Sequence, residues 1–206
     1  LYVTRSPYLA DNARNLYYSN NYENELQEIS FLSFKEFLES IRIPQGKQVD
    51  YYEFSRWFSK YSYSSPIKDA HILFEEFNGV ITGVDIDKAF LSRDDYIALG
   101  VKRSIFDVQK RPIVYDIFLK YLEFLNGNQY YDLNIVSFEM LRECYPKYDY
   151  ITVDEVQDFT NIQLHLVLKS LKEPENFILC GDSNQIVHPN FFSWANVKSM
   201  FYDEKL

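Results

Sequence analysis

Apolar positions along this chain change their spacing twice, and the changes divide it into three stretches. Leu1-Tyr2-Val3 is an apolar run that breaks at Thr4-Arg5-Ser6-Pro7, which predicts a short strand followed by a turn. Pro7 suits the first turn of a helix, and Leu9, Ala13, Leu16 and Tyr17 then recur at helical spacing, so residues 1–18 read as strand, turn and helix. Residues 19–30 are polar and acidic and read as a solvated connection. Ser33 with Glu36 three positions later forms a capping-box pattern and opens a helix carrying Phe34, Phe37, Leu38 and Ile41, closed by Pro44-Gln45-Gly46.

From Asp50 to Gly127 the spacing is mainly helical. Tyr52, Phe54, Trp57, Phe58 and Tyr61 form one group, Ile72, Leu73 and Phe77 a second, and Ile113, Ile117, Phe118, Tyr121 and Leu125 a third. Pro66, Gly79, Gly83, Gly100 and Pro112 punctuate them, which predicts a small helical subdomain. The final stretch changes character again. Tyr150-Ile151-Thr152-Val153 is an apolar, β-branched run halted by Asp154-Glu155, and Phe177-Ile178-Leu179-Cys180 is a second, halted by Gly181-Asp182. Between them Thr160 and Gln163 suggest another capping box, opening a helix with Leu164, Val167, Leu168 and Leu171 on one face. Two apolar strands joined by a helix indicate a βαβ unit with a parallel sheet buried on both faces.

That topology brings acids together. In a parallel sheet, Asp154-Glu155 and Asp182 fall on the carboxyl edge, where ligands of open α/β sheets bind. Hard oxygen ligands there suit Mg²⁺, which keeps several waters and uses one or two carboxylates plus substrate phosphates. One acid can sit near the metal while its neighbour serves as general base toward a water. Acids also follow strands as ordinary turn residues and helix caps, and for an isolated Asp-Glu pair that simpler reading is preferred.

Composition narrows the classes. The chain has 206 residues, 47% apolar and 18% aromatic, enough to bury a sizeable core. No apolar run reaches the roughly 18 residues of a membrane span. Two cysteines, Cys144 and Cys180, and three scattered histidines suggest neither a disulfide framework nor a zinc site, and point to a reducing, intracellular and cytoplasmic setting. A net charge of −9 argues against a wholly basic nucleic-acid binder but leaves room for local basic patches. The opening at Leu1, inside an apolar run, reads as part of a longer protein.

The strings around the acids are more specific. DEVQD at Asp154–Asp158, preceded by an apolar strand, and GDSNQ at Gly181–Gln185, preceded by another, resemble motifs II and III of the UvrD/Rep-type superfamily 1 helicases. LYVTRSP at Leu1–Pro7 resembles motif Ia of that family. The DEVQDFT segment and the helical stretch before it are most similar to the divergent branch found in large tetratricopeptide- and ankyrin-repeat proteins. The resemblance implies an α/β fold: a partial RecA-like (P-loop NTPase) parallel sheet with an inserted helical subdomain. It divides the chain into 1–30 (start of the ATPase domain), 31–127 (insert) and 128–206 (ATPase domain continued).

The same resemblance implies ATP and Mg²⁺ as cofactors and single-stranded DNA or RNA as partner, with no membrane. Asp154 would contact Mg²⁺ through its water shell, and Glu155 would orient or deprotonate the attacking water. Gln157 and Asp158 would link the nucleotide site to neighbouring loops, Gln185 would sense the γ-phosphate and Asp182 would support the sheet edge. Thr4, Arg5 and Ser6 would line the single-strand path, where hydroxyls, a guanidinium and a helix N-terminus can donate to phosphates; a surface ion pair is the competing role for Arg5.

Three departures qualify the match. No G-x-x-x-x-G-K-[ST] occurs, so the phosphate-cradling Walker A loop would lie upstream, and the second RecA-like domain would follow elsewhere in the same protein. The piece by itself is then expected to be inactive. Ser193 stands where the family usually places an Arg after the motif III Gln. Lys102-Arg103 and Lys110-Arg111 form the clearest basic cluster and are candidates for phosphate contacts, with solvated surface as the alternative. Phe191, Phe192 and Trp194 could stack on bases or pack in a core. The function expected is a helicase or translocase fragment; the alternative is a helicase-like module without motor activity that acts as a nucleotide-sensing or protein-binding scaffold.

Overall fold

A computed structural model describes residues 1–22 and 24–182. In chain order the elements are β1 (Tyr2–Thr4), α1 (Pro7–Ser19), β2 (Phe31–Ser33), α2 (Phe34–Ile41), β3 (Lys47–Gln48), α3 (Tyr51–Ser62) and α4 (Ala70–Glu76). They continue with α5 (Arg93–Ile97), α6 (Arg111–Asn128), β4 (Tyr130–Tyr131), α7 (Leu133–Met140), β5 (Ile151–Val153), α8 (Asn161–Leu168) and β6 (Phe177–Leu179). Among the described residues no helix is long and apolar enough to cross a membrane.

The chain forms two compact units. Among the described residues, the first contains those of Leu1–Ile43, Met140–Phe159 and 163–182; the second contains Pro44–Glu139 and Thr160–Ile162. Phe31-Leu32-Ser33 is a strand, paired in parallel with β1, which places it and α2 with the sheet.

The sheet of the first unit is wholly parallel, in the order β2-β1-β5-β6. Its registers align Thr4 with Ser33, Val3 with Val153, and Val153 with Leu179, so the four strands among the described residues end within one residue of each other. Val3, Ile151 and Val153 are buried. β6 departs from the expected strand buried on both faces: Ile178 is 60% exposed, because β6 is the last strand of the sheet among the described residues. Helix α1 begins as its sequence suggests, with Pro7 in the first turn and the Ser6 hydroxyl accepting from the Leu9 amide at 3.4 Å. The Ser33–Glu36 capping box of α2 is present with both reciprocal bonds.

The second unit is helical, with a small parallel pair β3–β4. Its core is aromatic: the Phe54 ring centroid lies 4.9 Å from Phe74, 5.6 Å from Phe77 and 5.6 Å from Tyr121. After α4 the helix widens into a π-helical turn, Phe77–Ile81, closed by the Thr82 amide donating to the Phe77 carbonyl at 2.9 Å. Asn134 donates to the Asn78 carbonyl (2.8 Å) and to the Thr82 hydroxyl (3.0 Å), and accepts from the Thr160 hydroxyl at 2.8 Å. This buried network anchors Thr160, two residues past Asp158.

Glu76, fully buried, accepts from the Tyr96 hydroxyl at 2.7 Å, the Ile105 amide at 3.0 Å and the Ser104 hydroxyl. Arg111 corrects the sequence reading. It is not part of an exposed basic cluster but fully buried, donating to the carbonyls of Phe106 (3.0 Å), Ile97 (3.0 Å), Gly100 (3.3 Å) and Leu99. Five donors in a planar fork suit a loop whose carbonyls converge, which residue type and spacing alone do not reveal.

Candidate functional site

The carboxyl edge of the sheet gathers the acids. The ladders continue one step past the strands: the Asp154 amide donates to the Val3 carbonyl at 2.9 Å, and the Val156 amide to the Cys180 carbonyl at 2.9 Å. The acidic loop is therefore held on both sides, by β1 and by the end of β6. Asp154 accepts from the Tyr2 hydroxyl through Oδ2 at 2.5 Å and from the Glu155 amide through Oδ1 at 3.0 Å.

Glu155 is in the left-handed region, with φ +51° and ψ +47°. A non-glycine residue there costs about 1 kcal/mol or more, and such strain concentrates at functional sites. The turn lets the chain enter a single 3-10 turn, Val156–Asp158, and places the Gln157 amide so that its Nε2 donates to Glu155 Oε2. The other end of the Gln157 side chain, Oε1, is buried without a hydrogen-bond partner among the described residues. Burial pushes the Asp158 carboxyl up, with the Glu155 charge adding to the effect and Arg5 opposing it.

Arg5 is partly buried, its guanidinium 5.8 Å from the centre of the Phe34 ring. Burial lowers its pKa, and Asp158 counters that. Thr4 is fully buried and its hydroxyl has no partner among the described residues, while the Ser6 hydroxyl is committed to capping α1. Asp182 lies beyond β6 and is half-buried.

Asp154, Glu155, Gln157, Asp158 and Arg5 thus come together in the first unit. Lys102 and Arg103 lie in the second, exposed on a 3-10 turn, Val101–Arg103. Gln185, Ser193 and the aromatic residues Phe191, Phe192 and Trp194 lie outside the described residues. Sequence reasoning missed Tyr2, which is legible only once β1 is known to neighbour β5. It also missed the tight fit of Gly181, whose position a Cβ would bring to 2.4 Å from Gln157 Oε1.

Chemically, the edge offers hard oxygen donors, one carboxylate fixed at both oxygens and a second beside an amide. That set suits a hydrated divalent cation and a water to be deprotonated.

Residues 107–205 match the family model of the UvrD/REP helicase N-terminal domain, a span that includes the acidic loop and β6. The chain is also 26% identical over 119 residues to the human protein "TPR and ankyrin repeat-containing protein 1", covering 54% of this chain and 4% of that protein. The chain therefore spans only a small fraction of the length of this relative. Residues 107–205 are thus similar to the UvrD/REP helicase N-terminal domain, and the parallel α/β sheet of this chain is consistent with that match.

Proposed function

We propose that the chain is the part of an ATP-dependent nucleic-acid helicase or translocase that supplies the acids of the Mg-ATP site. The observation that carries this reading is the paired Asp154 and Glu155 at the carboxyl edge of a parallel sheet, held by bonds to β1 and to the end of β6. The first unit is read as a RecA-like core and the second as a helical subdomain inserted in it.

The residues fit a hydrated magnesium ion carried by phosphates. The donors are oxygens, Gln157 Oε1 and the Thr4 hydroxyl are buried with unused hydrogen-bonding capacity, and among the described residues no group of three or more His, Cys, Asp and Glu could cage a metal. Asp154 would hold the ion through its water shell, with Asp158 and Asp182 nearby in the sequence motifs. Bound magnesium would supply charge neutralisation at the phosphates.

Glu155 is the base in this reading: it accepts the proton of the attacking water, and the Gln157 amide fixes its carboxylate while it does so. Gln185 is assigned to the γ-phosphate from the motif alone. Thr4, Arg5 and Ser6 are assigned to the single-strand path; the burial of Thr4 and the capping role of Ser6 make Arg5 the member best suited to reach a phosphate. Lys102 and Arg103, exposed and without an ion pair among the described residues, would add electrostatic attraction to a nucleic-acid polyanion.

The phosphate loop and its lysine are not among the 206 residues, so this chain alone is expected neither to turn over ATP nor to bind it tightly. The test is ATP hydrolysis by the full-length protein with and without single-stranded DNA or RNA at fixed low salt. Stimulated turnover supports the motor. Absence of turnover supports the alternative reading, a nucleotide-sensing or protein-binding scaffold, which Ser193 in place of the usual Arg favours.

A further inference from the structure

The Tyr2 hydroxyl is where the structure goes beyond the motifs. β1 and β5 are parallel neighbours with Tyr2 opposite Thr152, so the phenol reaches along the strands toward the sheet edge and ends on Asp154 Oδ2 at 2.5 Å. The ring is held independently, 5.7 Å from the Phe31 centroid and tilted by 45°. The remaining Asp154 oxygen accepts from the Glu155 amide at 3.0 Å. Both oxygens of this one carboxylate are thus pinned by donors on two different segments. Ring packing alone would be served as well by phenylalanine; the hydroxyl adds only the bond to Asp154.

We propose that Tyr2 is a positioning residue for the divalent cation: it fixes the Asp154 carboxylate in one orientation and thereby sets the affinity of the site for Mg²⁺. The proposal rests on the reading of Asp154 as the magnesium-binding acid. Partners that orient a metal-binding carboxylate change metal affinity by about 10- to 100-fold when removed. A carboxylate left to rotate must be ordered at the moment of binding, and that ordering weakens the site.

The experiment uses the complete polypeptide that carries this chain. Binding of a fluorescent N-methylanthraniloyl-ADP is followed while MgCl₂ is titrated, for wild type, Y2F and D154N, with a parallel titration of nucleotide in EDTA. The expected result is a half-maximal Mg²⁺ concentration raised about 10- to 100-fold in Y2F, unchanged nucleotide binding in EDTA, and loss of the Mg²⁺ dependence in D154N. Y2L, apolar without the ring, gives the same shift if the hydroxyl is what matters, and replaces Y2F should that variant fail to fold. An unmoved or lowered half-point in Y2F beside a D154N that abolishes the dependence overturns the role of Tyr2 and leaves the acid assignment standing. A D154N variant with wild-type Mg²⁺ dependence overturns both.

Discussion

Gly181 and Gln157 meet so closely that residue 181 has no room for a side chain: a Cβ there would lie 2.4 Å from Gln157 Oε1 and 2.8 Å from Val156 Cγ1. The end of β6 and the acidic loop are therefore fitted to each other by an absent methyl group. Gly181→Ala is expected to push the Val156–Asp158 turn outward and to cost about 1–3 kcal/mol of stability, the range typical of overpacking. Gly127, in α6, is the contrast, since nothing lies within 4 Å of its added Cβ. Gly127→Ala is expected to stabilise by about 0.5–1 kcal/mol, as glycine-to-alanine changes in helix interiors do. Urea unfolding of both variants checks the pair; equal effects would contradict the packing described.

Arg111 and its neighbour in the basic cluster should separate sharply. Replacing Arg111 with Met leaves converging carbonyls of Ile97, Leu99, Gly100 and Phe106 without their donor and Glu76 without its nearby charge. The expected loss is about 3–5 kcal/mol, as when one partner of a buried charged network is removed. Lys102→Ala, on exposed surface, should stay within about 0.5 kcal/mol. Arg111→Lys keeps the charge but not the fork, and is expected to fall between the two in the same denaturation experiment.

Asn134 has a local readout. Asn134→Ala removes the donor to the Asn78 carbonyl and to the Thr82 hydroxyl and the acceptor for the Thr160 hydroxyl, at a cost of about 1–3 kcal/mol. Amide hydrogen exchange should speed up first around residues 77–83 and 160–162. Uniform loss of protection across the second unit would contradict the assignment of this network as a local anchor.

The capping box of α2 gives a pH dependence with a definite sign. The Ser33 amide bond to Glu36 holds that carboxyl below its ordinary value of 4.5, with burial opposing and the Ser33 hydroxyl and Arg14 assisting. The folded state therefore binds fewer protons than the unfolded state as pH falls through this window. The contribution is fully present above the unfolded pKa and is lost as pH drops through the lowered folded value. Glu36→Gln should be less stable than wild type at about pH 6 and should converge with it toward about pH 3.

The sequence made much of this legible because periodicity reports burial. The strands around Val3 and Val153, the helices α1, α2 and α3, and the acids after β5 follow from apolar spacing, caps and breakers. Phe31-Leu32-Ser33 escaped because three residues carry no usable period and only the pairing with β1 makes them a strand. The two-residue strands β3 and β4 escaped for the same reason. The burial of Arg111 and the reach of Tyr2 to Asp154 depend on contacts 5 to 14 and 152 residues apart, which residue type does not encode. At the candidate site, motif strings identified the acids, whereas the left-handed turn at Glu155 and the fit of Gly181 came only from the backbone.

The most direct measurement compares wild type and Glu155→Gln in the full-length protein, following nucleotide binding and single-strand-stimulated ATP turnover in the same preparation. A base that accepts the proton of the attacking water predicts that Glu155→Gln binds nucleotide as wild type does while turnover falls by about 100-fold or more. Turnover retained at the wild-type rate, with binding also unchanged, would contradict Glu155 as the base.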